Sequence, residues 1–286
     1  VEQRFSLINK AKRGGIVPHQ LIMTATPIPR TLAMTAYGDL DNSIISELPG
    51  GRGEIATLCL SEDKRGEVVE KTLREIKKGR QVYWVCPLIE ESEDHNRESA
   101  EATFKTLSEN LKEHRIGLVH GKLSADKKNK AMSEFKEHKL DLLVATTVIE
   151  VGVDVPNASM MVIENTERLG LSQLHQLRGR IGRGEHESFC IMLYKNPLGQ
   201  TAKERLKVIR SSRDGFLISE KDLELRGPGE ILGIRQKGVV GLKIADISRD
   251  AYLIPKINKV CDQFESDFPE ESEKLVKRWI GNQINY

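Results

Sequence analysis

Gln81-Val-Tyr-Trp-Val-Cys-Pro87 is an apolar and aromatic run with a Lys-Lys-Gly-Arg stretch before it and a proline at its end. It is long enough for a strand and too short for a helix. Its consecutive β-branched and aromatic side chains suit a strand buried on both faces.

Outward from this run the chain alternates. Lys64–Lys78 places Val68, Val69, Leu73 and Ile76 on one helical face, and His95–His114 does the same with Ala100, Phe104, Leu107 and Leu111. Ile116–His120 reads as a strand, and Ser124 as the N-cap of a helix through Glu137. Leu140–Thr146, Met160–Ile163 and Phe189–Leu193 are three more β-leaning apolar runs. Strands joined by helices of this length need crossover connections, which predicts an α/β domain with a parallel sheet covered on both faces.

The flanks differ. Val1–Gly15 is basic and amphipathic and ends in a Gly-Gly break; Gln20–Thr26 reads as a buried strand stopped by Pro27 and Pro29. Leu48-Pro-Gly-Gly-Arg-Gly53 reads as a linker, and Asn196-Pro197 with Gly199 closes the α/β domain. The C-terminal remainder reads as mostly helical, with an irregular glycine-rich stretch from Gly227 to Gly241.

The 286 residues are a prior for two domains. With 38% hydrophobic and 30% charged residues the chain is globular rather than disordered. Lys plus Arg number 44 against 42 Asp plus Glu, so the net charge of +2 excludes a chain that binds polyanions simply by bulk charge. Between Lys203 and Lys243, however, ten Lys/Arg face six Asp/Glu, a local basic excess that also suits an ordinary solvated face. The four cysteines, Cys59, Cys86, Cys190 and Cys261, form no CxxC pair, which argues against structural zinc or a disulfide framework and for a reducing cytoplasm. The apolar runs are too short to span a bilayer, so no membrane partner is expected. A chain opening on Val1 is expected to be a piece of something longer.

Gln176-Leu-Arg-Gly-Arg-Ile-Gly-Arg183 carries the strongest chemical signal. If the segment is helical, Arg180 and Arg183 share a face, where their guanidinium groups suit a phosphate fork, and Gly179 and Gly182 allow close approach. Two arginines alone fit a solvated basic helix start equally well. In Ala145-Thr-Thr-Val-Ile-Glu-Val-Gly-Val-Asp-Val-Pro156, Thr146 and Thr147 offer hydroxyls and backbone N–H groups for phosphate contact. A capped turn is the plainer reading of that pair. Gly152 permits a tight turn, and Asp154 can accept from a ribose hydroxyl or orient an arginine.

Together these strings resemble motifs VI and V of superfamily 2 helicases, in which arginine fingers stabilise the charge that develops during ATP hydrolysis. Thr24-Ala-Thr-Pro-Ile-Pro-Arg30 resembles motif III, and Leu118-Val-His-Gly121 resembles a phosphate-backbone loop, although His120 fits a packed turn histidine equally well. Met23–Thr35 and Gly170–Arg180 are similar to the RecG and Mfd branch of DNA translocases, and Trp84–Ser92 and Glu150–Ser159 are similar to its RecG side. Asp222-Leu-Glu-Leu-Arg-Gly-Pro-Gly-Glu230 and Gly233-Ile-Arg-Gln236 resemble the translocation motif of that branch, and the Arg-Gly-Pro-Gly wording favours its RecG side. Lys237 departs from the small residue expected after Gln236.

The resemblance implies the trailing segment of a first RecA-like lobe and a linker over 1–49, a second RecA-like lobe over 50–198, and a helical-hairpin translocation module with a tail over 199–286. It implies catalytic roles for Gln176, Arg180 and Arg183 and nucleotide contacts from Gly152, Asp154, Arg180 and Arg183. It further implies DNA contact or translocation roles for Thr24, Thr26, His120, Thr146, Thr147, Arg205, Arg226 and Gln236, with no protein metal ligands. Implied cofactors are ATP and Mg²⁺. Implied partners are branched double-stranded DNA, meaning forks and four-way junctions, and a single-stranded-DNA-binding protein. The implied protein is monomeric and located in the bacterial cytoplasm at the nucleoid.

The chain contains no Gly-Lys-Thr or Gly-Lys-Ser and no Asp-Glu dipeptide, so neither a phosphate cradle nor a DEAH-like box is present. Val1-Glu-Gln-Arg-Phe5 resembles the sequence just after that box, so the expectation is half of an ATP-driven machine. The competing readings are an Mfd-like translocase acting on RNA polymerase, a non-catalytic binding module, and an RNA helicase.

Overall fold

The computed structural model describes residues 53–87, 93–146, 154–184, 186–226, 250 and 253–280, with the isolated positions 21, 23, 43 and 45. The expectations for Val1–Gly15, Gly227–Gly241 and most of Gln20–Thr26 lie outside the described residues.

Six parallel strands form one sheet: Ile55–Ser61 (β1), Gln81–Val85 (β2), Ile116–Val119 (β3), Leu142–Ala145 (β4), Ala158–Ile163 (β5) and Ser188–Tyr194 (β6). Their order is β1-β6-β5-β2-β4-β3. The chain runs outward through β1, β2 and β3 and returns through β4, β5 and β6. A right-handed crossover rule then sends the outward helices to one face and the returning ones to the other.

The packing places helices on both faces. Arg65–Lys77 (α1) and Glu93–Asn110 (α2) bring Val68, Ile76, Ala100 and Leu107 against Val82, Trp84, Leu142 and Val144. On the opposite face, Ala125–Lys136 (α3) and Leu171–Arg178 (α4) bring Phe135, Leu171, Leu174 and Leu177 against Tyr83, Val85, Leu143 and Met161. Alternate residues of β2 therefore serve the two cores, and all five are buried, as its unbroken apolar sequence predicts. The fold class is α/β and RecA-like.

Gln200–Ser211 (α5) and Gly215–Arg226 (α6) form a helical hairpin that packs back on α4, contributing Leu206, Ile209 and Ile218 to the second core. Ile254–Asp267 (α7) and Pro269–Ile280 (α8) form a further pair.

Two local expectations change. β1 was not legible, because Ile55-Ala-Thr-Leu-Cys-Leu-Ser61 is only partly buried and, among the described residues, lies at the sheet edge paired with β6. The helix expected to reach His114 stops at Asn110; a turn succeeds it in which the Leu111 carbonyl accepts from the His114 N–H at 2.9 Å.

Candidate functional site

α4 ends at Arg178 with Gly179 as its C-cap, and Gly182 then takes φ +73°. That left-handed turn suits glycine, and a Cβ there would fall 2.8 Å from Ile55 Cγ1. Arg180 and Arg183 therefore do not share one helical face as their spacing suggested. They sit on an irregular loop, because a positive-φ residue between them cannot continue a right-handed helix.

Loop closure brings chemistry together instead. Arg183 Nη1 lies 3.3 Å from Asp154 Oδ1, with the two side chains 28% and 57% exposed. Beside them Gly184 presses against the chain leading into β5: a Cβ on it would lie 2.6 Å from the Pro156 carbonyl oxygen. That close backbone approach sets the spacing between the arginine loop and the Asp154 segment.

Tyr83, in the middle of β2, senses the cluster. Burial pushes its hydroxyl up to about 12, while the charges of Arg180 and Arg183 oppose the rise and that of Asp154 adds to it. The phenol is thus neutral at physiological pH and packs in the core against Phe135, ring centroids 4.8 Å apart. The buried Arg183 Nε has no hydrogen-bond partner among the described residues. The exposed part of the guanidinium, steadied by one carboxylate, is suited to receive a phosphate oxygen. Gln176 is half-buried on α4, four residues before Arg180.

A second cluster lies at the carboxyl edge of the sheet. The Val119 carbonyl at the end of β3 accepts from the Thr146 N–H at 3.1 Å. Thr146 is buried, and its Oγ1 has no hydrogen-bond partner among the described residues. His120 is also buried, with Nε2 3.8 Å from a Glu101 carboxylate oxygen on α2. Carboxyl-end loops are where open α/β sheets bind ligands.

Arg205 is half-buried on α5; its Nε is buried without a hydrogen-bond partner among the described residues. Arg226 closes α6. Thr24, Thr26, Thr147, Gly152 and Gln236 lie outside the described residues. Among the described residues no group of three or more His, Cys, Asp or Glu converges as a metal site.

Sequence reasoning missed three participants. Arg178 is 3% exposed and bonded to the end of α5; its signal was the 171-174-178 spacing, which puts it on the apolar face of α4. Gly184 is the backbone contact described above. Glu164, just past β5, accepts from Arg65 Nε at 3.0 Å and Trp84 Nε1 at 2.9 Å, with the Arg65 guanidinium 5.3 Å from the Trp84 ring centroid. This network fixes the end of β2, from which Cys86 and Pro87 lead away.

Comparison with known proteins places the chain in a family. Residues 64–185 match the family model of the helicase conserved C-terminal domain, and residues 212–277 match that of ATP-dependent DNA helicase RecG, domain 3, C-terminal. ATP-dependent DNA helicase RecG of Haemophilus influenzae is 54% identical over 287 aligned residues, covering 100% of this chain and 41% of that protein. The Bacillus subtilis protein of the same name is 49% identical over 87% of this chain and 36% of its own length. A solved structure of RecG bound to a three-way DNA junction shares 46% identity and a TM-score of 0.67, over 84% of this chain and 31% of that one. The chain thus spans about two fifths of the length of such curated relatives. With both family models matched in turn along it and the whole chain aligned at about half identity, the chain belongs to the RecG family.

Proposed function

We propose that this chain supplies the second helicase lobe and the translocation module of an ATP-dependent double-stranded DNA translocase that remodels branched DNA in recombination and repair. Its substrates are stalled forks and four-way junctions. The observation that carries this reading is the loop that holds Arg183 3.3 Å from Asp154, with the charge of Arg180 reaching the same Tyr83 hydroxyl. The RecG relative whose structure holds a three-way DNA junction supports the substrate class.

In this reading the division is 1–49 as the trailing edge of a first lobe, 50–198 as the second lobe, and 199–286 as the translocation module and tail. ATP·Mg²⁺ is held chiefly by a first lobe that carries the phosphate loop, and supplies the bond whose hydrolysis drives movement. Arg180 and Arg183 reach across to phosphate oxygens and balance the developing negative charge, with Gln176, Gly152 and Asp154 completing that side. His120, Thr146 and Thr147 contact the DNA backbone with Thr24 and Thr26, and Arg205, Arg226 and Gln236 pass lobe movement to the duplex. The protein acts as a monomer in the bacterial cytoplasm, near the nucleoid and a single-stranded-DNA-binding protein. No helix among the described residues is long and apolar enough to cross a membrane.

The test is DNA-stimulated ATP turnover in a full-length family member carrying this segment. Arg183→Ala is expected to lower kcat by roughly 10³–10⁵-fold, the range for an arginine finger. A loss under about tenfold would remove the finger role, since a surface ion pair alone contributes no more than that. The 286-residue chain by itself is expected to show negligible turnover; robust DNA-stimulated hydrolysis would overturn the division of labour between lobes.

A further inference from the structure

We infer that the recess at the carboxyl ends of β5 and β6 is a phosphodiester contact, in which Asn165, Arg65 and Lys195 hold one backbone phosphate of the DNA. This rests on the translocase reading and adds a site apart from His120, Thr146 and Thr147.

Asn165 follows β5 with φ 49° and is 7% exposed. Asparagine tolerates that left-handed conformation better than most other residues with a Cβ. Its side chain lines the recess with those of Arg65, Glu164, Tyr194, Lys195 and Glu62. The Asn165 amide makes no hydrogen bond among the described residues. A buried amide without a partner costs free energy, which a ligand that pairs with it recovers.

Around this amide the acceptors are spent and the donors are not. Glu164 Oε1 accepts from Arg65 Nε at 3.0 Å and from Trp84 Nε1 at 2.9 Å, so its charge is already matched. Arg65 uses only Nε there; its side chain is 27% exposed, and its Nη groups make no hydrogen bond among the described residues. Lys195 Nζ lies 3.7 Å from Glu62 Oε2, with both side chains half-exposed, a pair loose enough for an incoming anion to replace Glu62. An amide N–H, a guanidinium edge and an ammonium therefore share one rim. Phosphate oxygens accept from all three, whereas a cation would meet Arg65 and Lys195.

The place suits the same ligand as the Thr146 cluster. The sheet order sets the ends of β5 and β6 two and three strands from β4, after which Thr146 lies. At about 4.7–4.9 Å per strand that is roughly 10–15 Å along the carboxyl edge, or about three to four nucleotides at 3.4 Å each.

The test measures binding of the 286-residue chain to a fluorescently labelled four-way junction across a salt series, beside thermal unfolding. Lys195→Gln is expected to make the slope of log affinity against log salt shallower by about 1, the loss of one phosphate contact. Asn165→Asp sets a carboxylate in the recess and is expected to weaken binding about tenfold. Asn165→Gly keeps the left-handed backbone without the amide and is expected to weaken it about threefold. Tm should hold within about 3 °C in all three. Affinity lost only in variants that also unfold early would make these residues structural and overturn the inference. Lys77→Gln, exposed in the last turn of α1 where the chain turns into the other end of β2, should leave the slope unchanged. Inorganic phosphate titrated into the wild-type and Asn165→Asp chains separates a free anion from DNA. If Asn165→Asp loses phosphate binding but keeps full junction affinity, the recess serves a free anion and the inference falls. An unchanged slope in Lys195→Gln with Asn165→Asp affinity within about twofold of wild type would also overturn it. A wild-type chain without salt-dependent junction binding would instead overturn the DNA contacts of the translocase reading.

Discussion

Replacing Gly184 by alanine puts a methyl group 2.6 Å from the Pro156 carbonyl oxygen and 3.4 Å from its carbonyl carbon. Both are backbone atoms, so no side-chain rotation relieves the clash. Either the loop holding Arg183 or the segment holding Asp154 must retreat by roughly 1 Å to regain an ordinary contact of about 3.5 Å. Overpacking of this kind costs about 1–3 kcal/mol, which at about 2–4 °C per kcal/mol for a domain of this size lowers Tm by roughly 2–12 °C. Gly66→Ala is the control: it lies in the first turn of α1 with no atom within 4 Å of the new methyl, and should raise stability by up to about 1 kcal/mol. Thermal unfolding followed by far-UV circular dichroism reads both. In a full-length family member, a displacement of roughly 1 Å at Arg183 should also cut ATP turnover by about 10²-fold. A Gly184→Ala protein with Tm within about 1 °C of wild type and full turnover would refute the view that this backbone contact sets the arginine geometry.

Three other perturbations read other parts of the molecule. Asp154→Ala removes an exposed ion pair of a kind worth about 0–1 kcal/mol, so Tm should hold within about 3 °C while DNA-stimulated ATP turnover falls; a large stability loss would mean that the pair is structural. Of the four cysteines, only Cys261 is exposed, and burial pushes the thiols of Cys59 and Cys190 up to about 11 and about 12 and raises that of Cys86 further. Native thiol titration at mildly alkaline pH should show one fast group, with all four reacting after denaturation. Burial works to raise the Asp141 carboxyl, but hydrogen bonds from Arg115, at 2.7 Å to Oδ1, outweigh it and hold the group below its ordinary value. The stabilisation is therefore complete above about pH 4 and lost as pH falls through the lowered value, so Asp141→Asn should flatten the acid limb of Tm against pH. A parallel acid limb in the variant would contradict this.

The alternation around Gln81–Cys86 was readable because strands buried on both faces leave nearly continuous apolar runs, and the helices between them carry clean apolar stripes. β1 escaped because an edge strand needs only partial burial and its Thr57 and Ser61 break the pattern. In the site, residue types were legible and geometry was not. The three-residue spacing of Arg180 and Arg183 describes a helix only if the intervening backbone allows one, and the positive φ of Gly182 does not. Asp154 meets Arg183, and Gly184 meets Pro156, only because β5 and β6 are adjacent in the sheet, a pairing that local pattern does not encode. Arg178 was passed over because arginine is ordinarily a surface residue, whereas here a helix end compensates its charge.

These contacts divide the work around the arginine loop in a way that suits a phosphate site. The exposed Arg183–Asp154 pair contributes about 1 kcal/mol at most, so an incoming anion can displace Asp154 at small cost. The loop does not depend on that pair for its shape: Gly182 against Ile55, Gly184 against Pro156 and buried Arg178 against α5 hold it from behind. A loop fixed mainly by its charges would rearrange whenever its counter-ion changed. One fixed by backbone contact keeps its donors in place while the carboxylate gives way, so binding energy goes to the anion rather than to refolding the loop.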